Sequence, residues 1–450
     1  MKTTSIILAA GKGTRMKSKL SKVLHPLVGR PMIWHILQSV KEFTDEPPVV
    51  IIGHQAQEIR EVLGDLAQLV LQEEQLGTGH AVMQAETALR GKTDLVLVTY
   101  GDMPLLTADT FHQIVETQKS NPGPITMLTL FADEPRGFGR IERGPHGFVT
   151  AIVEEADCSP EQKKIKELNV GVFCFKADWL WENLKNIPLS AKGEYYLTDL
   201  VAIANQAGQQ VTALVLEDPQ HGLGINSRVH LAEAEAALRA RINTRWMEAG
   251  VTLIDPQTTY IGLDVTIGQD TLIYPNTLLD GRTQIGENCR LGPNTIIRDT
   301  QIGNDCQVLS SVLEGAVLEN NVDIGPYGHL RKGAHLADGV HMGNFGEVKN
   351  SYLAPGVKMG HVSYIGDANI GKDVNIGAGT ITANYDGKNK NKTEIGEGAF
   401  IGVDTMLVAP LKLGKGSRTG AGSVVTKNVE EDTLVVGMPA RAIRKLDQSE

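Results

Sequence analysis

The residues that follow Val251 repeat with a period of six. Ile261, Ile267, Ile273, Leu279, Ile285, Leu291 and Ile297 hold one register, and glycine follows several of them, as in Ile267-Gly268, Ile285-Gly286 and Leu291-Gly292. The beat resumes at Ile324-Gly325, Leu330, Leu336, Met342-Gly343 and Val348, and again at Ile395-Gly396, Ile401-Gly402, Leu407 and Leu413-Gly414. Six residues are too few for a helical hairpin and fit one strand with one tight turn. The period therefore predicts a parallel β-helix, with three faces to a coil of about 18 residues and coils stacked about 4.8 Å apart. A β-sandwich also carries glycine-rich turns, but its strands do not keep one phase over so many successive units. One coil cannot bury its own core, whereas stacked neighbours can.

A chain of 450 residues has length for two or three domains, and its texture changes near Val251. We expect an α/β domain over 1–229, a connecting amphipathic helix over 230–250 with Leu231, Leu238, Ile242 and Trp246 on one face, and the β-helix over 251–450. A net charge of −10 without a basic block argues against a nucleic-acid partner, and 5% aromatic residues are too few for a base-stacking platform. Any phosphate should then belong to a small ligand met by local cations. The four cysteines lack CxxC pairing, and Cys289 and Cys306 fall in small-residue slots of the repeat, where packing suits them. The apolar run 6–10 is too short for a signal-peptide core and no later stretch could span a bilayer, so a cytoplasmic protein that stays out of membranes is expected.

At the N-terminus a buried-strand run, 5–8, enters Ala9-Ala10-Gly11-Lys12-Gly13-Thr14-Arg15-Met16. A strand that runs into a glycine-rich turn can cradle phosphate, because bare backbone N–H groups approach the anion closely. The stretch lacks the third glycine of a dinucleotide fingerprint and the GxxxxGK[ST] of a P-loop; Arg15 and Lys22 supply positive charge instead. An ordinary strand-to-helix turn is the bland alternative. Strand runs at 49–53, 69–72 and 94–99 alternate with helical runs at 57–63 and 79–89, which predicts a mostly parallel sheet with ligands beyond the strand ends. Asp102 follows the last of these strands, where a carboxylate can hold Mg²⁺ or merely form a turn.

The segment 8–16, followed by Lys22-Val23-Leu24, is similar to the signature of the sugar-nucleotide pyrophosphorylases. That resemblance implies a Rossmann-like nucleotidyltransferase domain acting on UTP and a sugar-1-phosphate, with Mg²⁺ held by Asp102 and Asn226. It sets Leu8, Ala9, Ala10, Gly11, Lys22, Tyr100, Gly101 and Asp102 around the nucleotide and gives Arg15 and Lys22 catalytic roles. Gln72 and Gly77-Thr78 resemble the uracil-reading segment, since an amide can pair with a pyrimidine edge. Gly139, Glu154 and Asn169 follow in the order that these enzymes use for the sugar, and 193–199 looks like the segment that closes the pocket.

Within the repeat, polar residues cluster where a structural solenoid needs none: Arg331-Lys332, Glu347-Val348-Lys349, His361-Val362-Ser363-Tyr364 and 374–380. The register then breaks at 384–392, a lysine-rich loop pushed out of the coil, and such interruptions line binding faces. The run resembles the hexapeptide acyltransferases, whose β-helices are left-handed and trimerise, where the general crossover rule would give the right hand. The polar segments closely resemble the acetyltransferase half of the bifunctional bacterial family that makes UDP-N-acetylglucosamine, and the two halves stand in that family's order. The resemblance implies an all-β left-handed parallel β-helix, acetyl-CoA as co-substrate and a homotrimer. It places Arg331 and Lys349 on the sugar phosphate, Tyr364 and Asn375 on the sugar, and Ala378, Asn384, Tyr385, Val403 and Ala421 against acetyl-CoA, with His361 as general base. An ammonium must lose a proton before it attacks a thioester, and imidazole chemistry suits that step. Two departures touch the cofactor end: Val403 stands where Ser is common, and Gly437-Met438-Pro439-Ala440-Arg441 replaces an Arg-containing tail.

A single-activity pyrophosphorylase with a scaffolding β-helix is the alternative, and the cluster around His361 and the inserted loop count against it. His329, His335 and His341 suggest a zinc site, but their six-residue spacing points them about 120° apart on successive faces of one coil.

Overall fold

The computed structural model describes residues 1–445; residues 446–450 of the expected second domain lie outside the described residues. The chain divides into two compact units, Met1–Leu238 and Arg239–Glu450, and the boundary falls inside a single helix, Arg228–Glu248.

Strand Thr3–Leu8 is buried along its whole length and carries no charge. Ile6 and Leu8 feed one hydrophobic core and Ile7 the other, so this strand must lie in the middle of a sheet covered on both faces. The strands run in the order Val211–Val215, Ile125–Phe131, Glu167–Lys176, Leu95–Tyr100, Thr3–Leu8, Val49–Ile52 and Gln68–Leu71. Glu167–Lys176 is antiparallel to both neighbours and the other pairs along this path are parallel. The chain leaves Thr3–Leu8 for Val49–Ile52 on one side and comes back to Leu95–Tyr100 on the other. Strand order therefore reverses beside Thr3–Leu8, and a crevice opens beyond Leu8 and Tyr100. The helix expected over 79–89 is two helices, Thr78–Met83 and Glu86–Leu89. The N–H groups of Gln84 and Ala85 reach back only to Ala81 and Val82, a tight turn that buries Ala85.

In the second unit the six-residue period builds three parallel sheets. Ile261, Leu279 and Ile297 stack in register on one, Ile267 and Ile285 on the next, and Ile273 and Leu291 on the third, all buried. The pairs Leu272↔Arg290, Arg290↔Gln307 and Gln307↔Asp323 show the coils shortening by one and then two residues. The beat lapses in the sequence there for that reason; the inward series continues as Ile302, Val308, Leu313 and Leu318, all buried. Cys289 and Cys306 are buried in adjacent coils and donate to the carbonyls of Gly303 and Glu319 at 3.1 and 3.0 Å, the packing role expected of them. His329, His335 and His341 lie on three different sheets, each beside its own carboxylate: Glu314 at 3.5 Å, Glu319 at 2.8 Å and Asp323 at 2.5 Å. Among the described residues no helix is long and apolar enough to cross a membrane.

Each inward aliphatic side chain touches the coils above and below, so deleting one opens a void that neither can fill. Leu330→Ala should cost about 2–5 kcal/mol in urea denaturation of the full chain. Gln301→Ala, on the outer surface, should stay within about 0.5 kcal/mol. Equal effects would mean that the stack is not the source of stability.

Candidate active sites

In the first unit the strand ends surround a cavity of about 590 Å³, lined by Leu8, Ala9, Ala10, Gly11, Lys12, Gly13, Lys22, Val23, Gln72, Gln75, Gly77, Thr78, Ala81, Tyr100, Asp102, Glu154, Glu194 and Tyr196. The opening loop is tied at both sides: the Ala9 N–H donates to Ile51 at 2.9 Å and the Gly101 N–H to Leu8 at 3.0 Å. Gly13 has φ of +57°, and a Cβ there would sit 2.6 Å from Lys22 Cβ, so a glycine is needed for the Lys22 stem to pass. Lys22 Nζ forms an ion pair with Asp102 and donates to Asn226 Oδ1 at 2.7 Å. The Ile225 N–H donates to the Asp102 carbonyl at 2.9 Å, which sets Asn226 beside Asp102.

Asp102 and Asn226 thus bring two side-chain oxygens to one point, which now carries the Lys22 ammonium. An all-oxygen pair with few protein ligands fits Mg²⁺, which usually takes one or two carboxylates together with substrate phosphates. Among the described residues no three His, Cys, Asp or Glu side chains gather to hold a metal without such help. Arg15 lies on the 3₁₀ turn Thr14–Met16, is exposed, and is not among the residues that line the cavity.

On the other side of the cavity, buried Gln72 places its Nε2 3.2 Å from the Gly77 carbonyl and 3.1 Å from His80 Nδ1, which fixes the amide plane. Residues 193–199 close over this edge, as expected. The Tyr195 N–H donates to Leu76, the Gly79 N–H to Tyr195, and the Leu197 N–H to Thr78 Oγ1. Gly77, at φ +100°, lies so close to Tyr195 that a Cβ would approach its carbonyl to 2.6 Å. Gly139, Glu154 and Asn169 come from neighbouring strands: the Asn169 N–H donates to Gly139 at 2.9 Å, and Arg140 pairs with Val153. Asn169 Oδ1 is engaged by the Gly171 N–H at 2.9 Å. Burial holds the Glu154 carboxyl above its ordinary pKa, with the Asp199 and Asp157 charges adding to the shift and the Thr198 hydroxyl opposing it. Sequence reasoning gave no role to Gln75, Val23 and Ala81; Val23 stands in the quoted signature and Gln75 is a second amide beside Gln72, while Ala81 left no signal of its own.

In the second unit the polar residues sort by face. His361 and Val362 are exposed at one corner of the coil, and the corners above repeat the position. The Gly379 N–H donates to Val362 at 2.6 Å, the Asp404 N–H to Ala378 at 2.6 Å and the Gly422 N–H to Val403 at 2.8 Å. Ala378, Val403 and Ala421 therefore form a ladder rising from His361. Tyr364 projects from the face after this corner, and on that same face Lys349 ends one strand and Arg331 directly follows another. Arg331 pairs with Glu347 at 2.9 Å. The Lys349 ammonium is held below its ordinary pKa by its contact with Lys390 and by the charge of Arg331, so three cations converge. Lys390, from the inserted loop, was not picked out in the sequence beyond the lysine run. Asn384 is buried and bonded to Asp367, and the loop is pinned by Asp386, whose carboxylate takes the Lys388 and Asn389 N–H groups and is pushed down to about 2. Tyr385 is exposed on that loop. Asn375 lies on the face before the corner, in a different sheet from Tyr364.

A nucleotide-sized crevice at a strand-order reversal, followed by a hexapeptide solenoid with a cationic cluster, defines a two-domain transferase. Residues 5–141 match the MobA-like NTP transferase domain, 264–299 the bacterial transferase hexapeptide and 392–427 the hexapeptide repeat of succinyl-transferase. The chain is 48% identical to the bifunctional protein GlmU of Heliobacterium modesticaldum over 97% of its own length and 95% of that protein's. It is 46% identical to the GlmU of Halalkalibacterium halodurans over 96% and 95%, and 45% identical to that of Streptococcus agalactiae serotype V over 97% and 95%. The chain belongs to the bifunctional GlmU family.

Folded Glu154 keeps its proton to higher pH than the unfolded chain does, so the native state binds more protons between the two pKa values and stability falls as pH rises through that window. Glu154→Gln lacks this loss. Its urea midpoint relative to the parent chain should rise from mildly acidic to neutral pH, and a pH-independent difference would remove the burial argument.

Proposed function

We infer that the chain makes UDP-N-acetylglucosamine by two reactions: acetyl transfer from acetyl-CoA to glucosamine-1-phosphate in the second unit, then uridylyl transfer from UTP to N-acetylglucosamine-1-phosphate in the first. The observation that carries this reading is that one chain, matched by a bifunctional family over 97% of its length, holds both constellations.

For uridylyl transfer, a phosphate oxygen of the sugar-1-phosphate attacks the α-phosphorus of UTP; the bond to the bridging oxygen breaks and pyrophosphate leaves. The nucleophile is already anionic, so positioning and charge neutralisation carry the rate. Mg²⁺ held by Asp102 and Asn226 would neutralise phosphate charge as it develops. Lys22, now between those two oxygens, would turn to the phosphates, and Arg15 would meet the outgoing pyrophosphate from the exposed turn. With its nitrogen engaged, the Gln72 amide has its oxygen left to accept from uracil N3–H, while Gly139, Glu154 and Asn169 read the sugar.

For acetyl transfer, His361 takes a proton from the substrate ammonium, the free amine attacks the thioester carbonyl, the C–S bond breaks, and the thiolate leaves with a proton. Arg331, Lys349 and Lys390 would bind the sugar phosphate, and the ladder Ala378, Val403 and Ala421 would carry the acyl donor. Tyr364 and Asn375 stand on two faces of a triangular coil, so one acceptor meets both when a second copy sets its Asn375 face against the first copy's Tyr364 face. This supports a homotrimer. So do Tyr327 and Phe345, which stack at 5.2 Å on one corner, more than half exposed and at φ of +65° and +58°. A stacked, exposed aromatic pair offers an apolar surface for a partner to cover.

Two assays on one preparation test the reading: pyrophosphate from UTP plus N-acetylglucosamine-1-phosphate, and free thiol from acetyl-CoA plus glucosamine-1-phosphate. Asp102→Ala should abolish the first and spare the second. His361→Ala should slow thiol release about 10²–10⁴-fold, the usual contribution of a positioned base, and spare the first. Loss of both activities in either variant would refute the assignment of separate sites.

A further inference from the structure

Among the described residues the largest fully buried side chain is a charged one, Arg140, 1% exposed. It lies directly after Gly139, at the start of strand Arg140–Arg143. Its backbone is in register with Val153, which precedes Glu154, and with Leu168, which precedes Asn169. One guanidinium nitrogen, Nη1, donates to the Phe138 carbonyl at 2.5 Å and forms an ion pair with Glu155. Phe138 and Glu155 are the immediate neighbours of Gly139 and Glu154. The Arg140 Nε has no partner among the described residues, so the burial is not arranged to satisfy the cation fully.

We propose that Arg140 is a positioning residue for the sugar pocket. Its guanidinium clamps the Phe138 carbonyl and the Glu155 carboxylate from beneath, and so fixes the separation of Gly139 and Glu154 that the sugar hydroxyls must span. This rests on the reading of Gly139, Glu154 and Asn169 as the sugar contacts. A hydrophobic residue of similar volume could fill the same space, and buried ion pairs are often no more stabilising than such a replacement. What the guanidinium adds is planar geometry, one nitrogen shared between two fixed oxygens. Lysine carries the charge without that plane. The clamp joins two loops through Phe138 and Glu155, neither of which lines the nucleotide cavity, so its loss should be felt by the sugar and not by UTP.

The test is steady-state kinetics of the full chain with UTP and N-acetylglucosamine-1-phosphate varied separately, and with thiol release from acetyl-CoA as an internal check that the chain is folded. Arg140→Lys should raise KM for the sugar phosphate by about 10–100-fold, the scale expected of a small misplacement of binding groups, with KM for UTP within about twofold of the parent. Glu155→Gln removes the anionic partner from the half-exposed side, where folding is not at risk, and should shift the sugar KM in the same direction by less. The double variant should be no worse than Arg140→Lys alone, because both remove one clamp. Guanidinium ion at millimolar, non-denaturing concentration should partly restore the sugar KM of Arg140→Ala. Glu154→Gln separates the two levels of argument. If it raises the sugar KM while Arg140→Lys and Glu155→Gln do not, the pocket stands and the clamp is refuted. If Glu154→Gln leaves the sugar KM unchanged, the sugar pocket and the clamp fall together. Equal rises in both KM values, or additive effects in the double variant, would also overturn the proposal.

Discussion

Parallel strand pairing is the constraint on which both units depend. A parallel neighbour cannot be reached by a tight hairpin, so the chain must cross back between strands. In the first unit helices make most of those crossings and the loops that feed them collect at one edge of the sheet. Leu8, Gln72 and Tyr100 lie at or just beyond the ends of three strands that run the same way, Thr3–Leu8, Gln68–Leu71 and Leu95–Tyr100. In the second unit the crossing is the coil itself. Each strand pairs with the strand one turn later, and a side chain at a corner is repeated by the corners above it. The first arrangement gathers residues distant in sequence around a pocket; the second lays them out in ladders.

The two arrangements handle charge differently. In the first unit the Lys22 charge is compensated by Asp102, with the Asn226 amide oxygen on its other side, and on the proposed reading it is held there until phosphates compete for it. In the second, Arg331, Lys349 and Lys390 are set against one another, and Glu347 offsets only Arg331. Like charges held together raise the free energy of the site, and the sugar phosphate proposed to bind there would relieve that repulsion. The inserted loop can hold Lys390 there because Asp386 closes it on itself with two backbone N–H groups, independently of the coil below.

Periodicity made the second unit legible, because inward positions are fixed by a count of residues and not by distant contacts. The count failed where coils lost a residue, between Ile297 and Ile324 and again after Val348. A shortened turn changes the spacing of the aliphatics without changing which way they point. The loop of the first site was legible because a strand end, glycines and cations stand together in the sequence. Arg140 was legible only as part of a motif: no local signal distinguishes a buried arginine from a surface one, and its partner Glu155 arrives from another strand end. The division of Asn375 and Tyr364 between two faces was equally hidden. Their positions along the sequence are simple, but assigning each to a face requires the shortened coils to be counted correctly.

The two departures at the acyl-donor end can be weighed by magnitude. Val403 is half exposed on the corner ladder between Ala378 and Ala421, and its backbone carbonyl already accepts from the Gly422 N–H. A ligand lying along such a ladder would be gripped by backbone and by dispersion against small residues, and a side chain that loses a hydroxyl and gains two methyl groups leaves both in place. The loss is at most one exposed hydrogen bond, about 0.5–1.5 kcal/mol, which is no more than roughly tenfold in affinity. The tail is the larger change. Residues Arg441–Lys445 turn back as an exposed strand antiparallel to Thr433–Val436, so the sheet that the coils extend ends in a basic edge. If the proposed acyl donor lies along the ladder, a cation on that edge would meet it only at the end away from His361, and would bear on binding and not on the proposed proton transfer.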